Sequence, residues 1–68
     1  MRYAYVVEKG PTSYGAYVPD LPGCIAVATT ASAVKKLIVE AISLHVEGMR
    51  EDDLPIPEPE TECEYVDV

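Results

Sequence analysis

The side chains able to do chemistry in this chain of 68 residues are few and scattered. Nucleophilic catalysis needs a hydroxyl or thiol beside a base that a carboxylate orients. Ser13, Ser32 and Ser43 have no such neighbours in the sequence. His45, the single histidine, falls inside an apolar helical pattern and reads as a core or rim residue. Structural zinc asks for three or four ligands, usually with closely spaced cysteines. Cys24 and Cys63 are far apart, and with His45 they make an incomplete set, so both are expected as ordinary buried thiols in a reducing compartment. Two-metal hydrolysis draws on several converging carboxylates. The segments preceding the helical pattern supply only Glu8 and Asp20, and Asp20, with Pro19 before it and Pro22 after it, reads as a turn cap. No catalytic residue, metal ligand or cofactor is expected.

The charge distribution is more informative than any single reactive group. Residues 1–50 carry four acids against all five bases, and residues 51–68 carry eight acids and no base, for a net charge of -7. Nucleic-acid binding requires clustered Lys and Arg to displace phosphate counterions. Arg2, Lys9, Lys35, Lys36 and Arg50 are too few and too dispersed for it, so no direct nucleic-acid contact is expected. The acidic end is either a solvated segment that keeps the protein soluble or a surface for a basic partner. Glu58, Glu60, Glu62 and Glu64 are the candidate partner-binding carboxylates. Tyr14 and Tyr17 are either sheet packing or rigid anchors in an interface, since tyrosine offers large contact area at low entropy cost.

The elements that must position these groups follow from periodicity. Residues 2–8 alternate, with Tyr3, Tyr5 and Val7 on one face, and predict a first strand. Lys9 to Ser13 predicts a turn, and Tyr14 to Val18 a second strand paired antiparallel with the first. Pro19-Asp20-Leu21-Pro22-Gly23 interrupts pairing, because two prolines remove two backbone donors. Cys24 to Thr29 is a short apolar run that fits a third strand. Thr29 or Thr30 then caps a helix whose apolar stripe is Val34, Leu37, Ile38, Ala41, Ile42, Leu44, His45 and Met49, ending between Gly48 and Asp53. Three prolines at Pro55, Pro57 and Pro59 predict an extended connector over 51–59. Glu60 to Val68 alternates again and predicts a fourth, acidic strand. The order β-β-β-α-β in a single domain, 1–68, predicts an α+β two-layer sandwich with one helix on one face of a mostly antiparallel sheet.

Tyr17-Val18-Pro19-Asp20-Leu21-Pro22-Gly23-Cys24, following a hairpin that starts Tyr5-Val6-Val7-Glu8, resembles the signature of the HicB-like antitoxin family. The likeness continues through Thr30, Glu40-Ala41-Ile42, Leu44-His45 and Pro55-Ile56-Pro57-Glu58-Pro59, over essentially the whole chain. It implies a degenerate ribonuclease-H-like α+β fold. It also implies a non-enzymatic role in a toxin-antitoxin pair, neutralising HicA, a small basic messenger-RNA-cleaving toxin. The motif residues that carry the resemblance are Tyr17, Pro19, Asp20, Leu21, Pro22, Gly23 and Cys24. The sequence departs from the family in lacking acids in the first helical turn, and no DNA-binding segment is recognised in these residues, so a stand-alone N-terminal module is expected.

A core this small supplies only about 3–5 kcal/mol unaided. One sheet face has no helix to cover it, so a homo-oligomer, dimer or tetramer, is expected. No run of apolar residues is long enough to span a membrane, no secretory leader is recognised at the start, and a cytoplasmic location is expected. Two alternative functions remain open at this level: an orphan homo-oligomer without a toxin, and a metal-dependent nuclease.

Overall fold

A computed structural model describes all residues from Met1 to Val68. Three strands, β1 (Val6–Lys9), β2 (Tyr14–Tyr17) and β3 (Ile25–Ala28), form one antiparallel sheet in the order β1-β2-β3. The register pairs Val6 with Tyr17 and Glu8 with Gly15 across the hairpin, and Tyr17 with Ile25 and Gly15 with Val27 across the second pair. Because side chains in register share a face, Val7, Ala16 and Ala26 point to one side of the sheet. Val6, Tyr17, Ile25, Glu8, Gly15 and Val27 belong to the other.

The single helix α1 (Ala31–Glu51) lies on the first of these faces. Thr30 caps it, its hydroxyl accepting from the Ala33 N–H at 3.1 Å, and Arg50 in the last turn suits the negative end of the helix dipole. At the far end Asp53 takes a left-handed conformation (φ 54) and the Leu54 N–H donates to the Met49 carbonyl, which closes the helix. Six side chains are buried between the layers: Ala16, Val18, Leu21, Cys24, Val34 and Ile38. Tyr3, Tyr5, Val7, Ala41, Ile42 and Val46 pack around them.

The α+β architecture with one helix on one face is as the sequence predicts, but β1 starts at Val6 rather than at residue 2, which leaves Tyr3 and Tyr5 outside the strand, and two further details differ. The first is the helical stripe. Ile38 is fully buried, whereas Leu37 is 43% and Leu44 69% exposed, and Val46 takes the inward place. At 100° per residue Leu37 and Leu44 sit about 100–120° around the helix from Ile38, beyond the reach of a narrow three-stranded sheet.

The second is the C-terminal segment. The element order is β-β-β-α, and residues 60–68 form no strand. Tyr65, Val66 and Val68 are exposed, so the alternating segment has no buried face to reward pairing. Its first two backbone N–H groups are also taken by a side chain elsewhere, as described next.

Candidate functional site

The segment Pro19 to Cys24 folds into a compact turn built from three backbone hydrogen bonds. The Val18 N–H donates to the Cys24 carbonyl, that of Leu21 to Val18, and that of Cys24 to Leu21. Leu21 plugs the core with no exposed surface, and Cys24 is buried beside it. Gly23 adopts φ +85, the left-handed region open to glycine. Burial pushes the Cys24 thiol pKa up, which keeps it protonated and inert. Cys63, by contrast, is exposed rather than buried, and both thiols are free.

With Leu21 turned inward, Asp20 is left at the surface, and its carboxylate reaches the C-terminal segment. It accepts from the Glu60 N–H at 3.1 Å, the Thr61 N–H at 3.0 Å and the Thr61 hydroxyl at 2.9 Å. The Thr61 amide above all holds the Asp20 pKa below its ordinary 3.8, with the Thr61 hydroxyl and Glu60 amide adding to it and partial desolvation opposing. Asp20 is therefore not a local turn cap; it bonds residues 40 positions away. A second tie lies just upstream, where the Tyr3 hydroxyl donates to the Pro57 carbonyl.

These two contacts fix an acidic arm. Pro57 to Thr61 is held against the body, and the chain beyond runs beside β1. Open grooves of about 590 and 750 Å³ separate it from Arg2–Tyr5 and from Tyr5–Val7 with Lys35. Glu58, Glu60, Glu62 and Glu64 all belong to this arm, and Glu60, Glu62 and Glu64 are exposed. Tyr17 is 40% exposed on the sheet face away from the helix, while Tyr14 is half-buried on the helix side against the core. The candidate residues thus divide among three places rather than meeting in one. His45 is half-buried on the inner side of α1. No three His, Cys, Asp or Glu side chains converge in a group that could hold a metal ion.

The bond between Asp20 and Thr61 escaped sequence reasoning because nothing in either neighbourhood marks the other. The only available signal was a carboxylate next to a buried leucine in a proline-bounded turn, which had to face outward.

The HicB_like antitoxin family of bacterial toxin-antitoxin systems matches residues 3–67, and the chain belongs to that family. It is 39% identical over 66 residues to an uncharacterized 14.9 kDa protein encoded in the rep-hol intergenic region of Haemophilus phage HP1 (strain HP1c1). That alignment takes in 97% of this chain, which spans about half the length of its relative. The fold superposes on a chain of the solved HicA3 and HicB3 toxin-antitoxin complex with a TM-score of 0.70 and 26% identity, covering 85% of this chain and 66% of that one.

Proposed function

We propose that this chain is a cytoplasmic, non-enzymatic antitoxin module that neutralises a small, basic, messenger-RNA-cleaving toxin of the HicA type. The acidic arm is the element that engages it. The observation that carries this reading is the arm's attachment: Asp20 and Tyr3 hold the segment that carries Glu58, Glu60, Glu62, Glu64 and Asp67 at Pro57, Glu60 and Thr61. A toxin that cleaves RNA must present a positive surface to phosphates. Glu58, Glu60, Glu62 and Glu64 place a carboxylate at every second residue of the arm, a run of negative charge like that of a phosphate backbone. They compete for the same surface. The module itself then needs no contact with nucleic acid.

The test is co-expression with a HicA-type toxin followed by purification of the pair. Relief of growth arrest together with a stable complex in which RNA cleavage stops supports the proposal. Continued arrest with no complex, the domain being soluble and folded, rejects it. A second reading, an orphan homo-oligomer, draws support from the uncovered sheet face bearing Val6, Tyr17, Ile25 and Val27. It predicts self-association but no toxin complex.

A further inference from the structure

We infer that the outer edge of β1 and the arm beside it form a groove for one extended, basic segment of a protein partner, which adds to the sheet as a strand. The inference rests on the toxin reading above only for the identity of that partner, and the groove itself is tested without it.

Three observations support it. The first is the backbone. The Gly10 N–H donates to the Ser13 carbonyl, and this pair continues the register of β1 and β2. In an antiparallel ladder bonded pairs alternate, so Val6 and Glu8 bond to β2 while the N–H and C=O groups of Tyr5 and Val7 point away from it. The other side of β2 has the same phase. The Val18 N–H donates to the Cys24 carbonyl, so Ala16 turns toward β3 while Gly15 and Tyr17 turn toward β1. None of the backbone bonds outside the regular elements involves Tyr5 or Val7. The arm spends its Glu60 and Thr61 amides on the Asp20 carboxylate instead.

The second observation is space. A groove of about 750 Å³ is bounded by Tyr5, Val6 and Val7 and by Glu62, Cys63 and Glu64. Clefts that hold ligands are about 300–1,000 Å³. A neighbouring groove of about 590 Å³ extends it along Arg2 to Tyr5. The arm, held at Pro57, Glu60 and Thr61, walls this space without filling it. An added strand has its partners there, because strand addition to a free edge supplies affinity through main-chain hydrogen bonds.

The third is charge, and it selects the occupant. Glu62 and Glu64 line the larger groove, against one base, Lys35 on α1. Arg2 lines the neighbouring groove with Glu60 and Glu62. Glu8, exposed on β1, adds a carboxylate on the sheet face away from the helix. A strand alternates its faces. Side chains of the segment on the outer face therefore meet Glu8, and those on the inner face meet Tyr5, Val7 and Lys35. Cations suit the first set and apolar groups the second, with Lys35 excluding a cation on the helix side. Tyr65, 97% exposed and lining both grooves, supplies an aromatic surface on which a guanidinium can stack. The same carboxylates repel a nucleic-acid strand and the arm of a second copy. An alternating basic and apolar segment of a protein fits.

The experiment follows the Tyr5 and Val7 amides by hydrogen exchange on the full chain, free and with an end-blocked hexapeptide that alternates arginine and valine. Strand addition predicts free exchange of both amides in the unbound chain, slowed about tenfold when nine-tenths of the chains hold peptide. A hexapeptide alternating glutamate and valine is expected to change neither. Val7→Pro removes a donor that β2 does not use, which an edge strand tolerates, and is expected to weaken binding of the arginine peptide several-fold. Should that variant fail to fold, the exchange data on the unaltered chain decide alone. No protection with the arginine peptide overturns the inference, and so does equal protection with the glutamate peptide. Protection of Tyr5 and Val7 in the free chain would mean that the arm itself pairs with β1, and equally overturns it. A stable complex with a HicA-type toxin in which these two amides still exchange freely defeats the groove and leaves the toxin reading standing. Protection by the arginine peptide without any toxin complex supports the groove and removes the toxin as its occupant.

Discussion

Asp20 and Gly23 show how one short turn serves two purposes. The carboxylate of Asp20 is held below its ordinary pKa by the Thr61 and Glu60 donors, so the sign of its linkage is fixed. Its contribution is complete above pH 3.8 and is lost as pH falls through the lower folded-state value. Acidification is therefore expected to release the arm, and the Thr61 amide resonance should report a titration in that range. Asp20→Asn should abolish this step and loosen residues 60 and 61 at neutral pH. An unchanged Thr61 profile in the variant would mean that Asp20 does not govern it. Gly23 carries a different constraint. A Cβ there would meet nothing within 4 Å, so its φ of +85 is the whole obstacle to substitution. Gly23→Val is expected to cost more than about 1 kcal/mol by backbone strain. Gly23→Ala should also lose stability despite its smaller bulk. A denaturant midpoint equal to the parent's in both would refute the strain account.

Among the elements, α1 supplies two of the six buried side chains, Val34 and Ile38. Ile38 is fully buried against the sheet, and truncation to Ala is expected to cost about 2–5 kcal/mol. That equals the total stability a core of this size commands, so Ile38→Ala should be largely unfolded by circular dichroism. Leu44→Ala, on the exposed flank of the same helix, should shift the midpoint by no more than about 0.5 kcal/mol. Equal losses in the two variants would mean that the flank is covered in solution. The strands are only four residues each, which explains why a 21-residue helix leaves Leu37, Val39 and Leu44 outside the layer interface.

At the scale of the whole molecule, function follows from where charge and apolar surface have been put. The first 50 residues are nearly neutral and build both layers, whereas the last 18 carry eight acids and, apart from Glu51 at the end of α1, lie outside both layers. Such separation acts mainly on association rate, through long-range attraction that salt screens to about 3 Å at 1 M. Under the proposed function, changing Glu60, Glu62 and Glu64 together to Gln is expected to slow association with a HicA-type toxin and flatten its salt dependence. The fold should be unaffected, because the Glu60 contact to Asp20 uses the main-chain amide. Stopped-flow measurement at low and high salt decides it. Identical rates and salt slopes would reduce the arm to a solubility device.

Much of this protein was determined locally. The β-favouring run through Val6 to Glu8, the proline-bounded turn, the Thr30 cap and the switch to helical period at Ala31 are short-range properties, so the hairpin, the third strand and the helix were legible in the sequence. It also specified the charge asymmetry, which is arithmetic. Only tertiary structure decided the rest, because those outcomes depend on what lies opposite a residue. Glu60 to Val68 has strand-like alternation but no surface against which to bury one face, and Asp20 occupies its first two donors. Leu44 has the right spacing for the stripe, but the sheet beneath it is too narrow. The use of Asp20 to anchor a segment forty residues away could not be read from either end of that contact, since a hydrogen bond between distant parts of a chain exists only once the fold has brought them together.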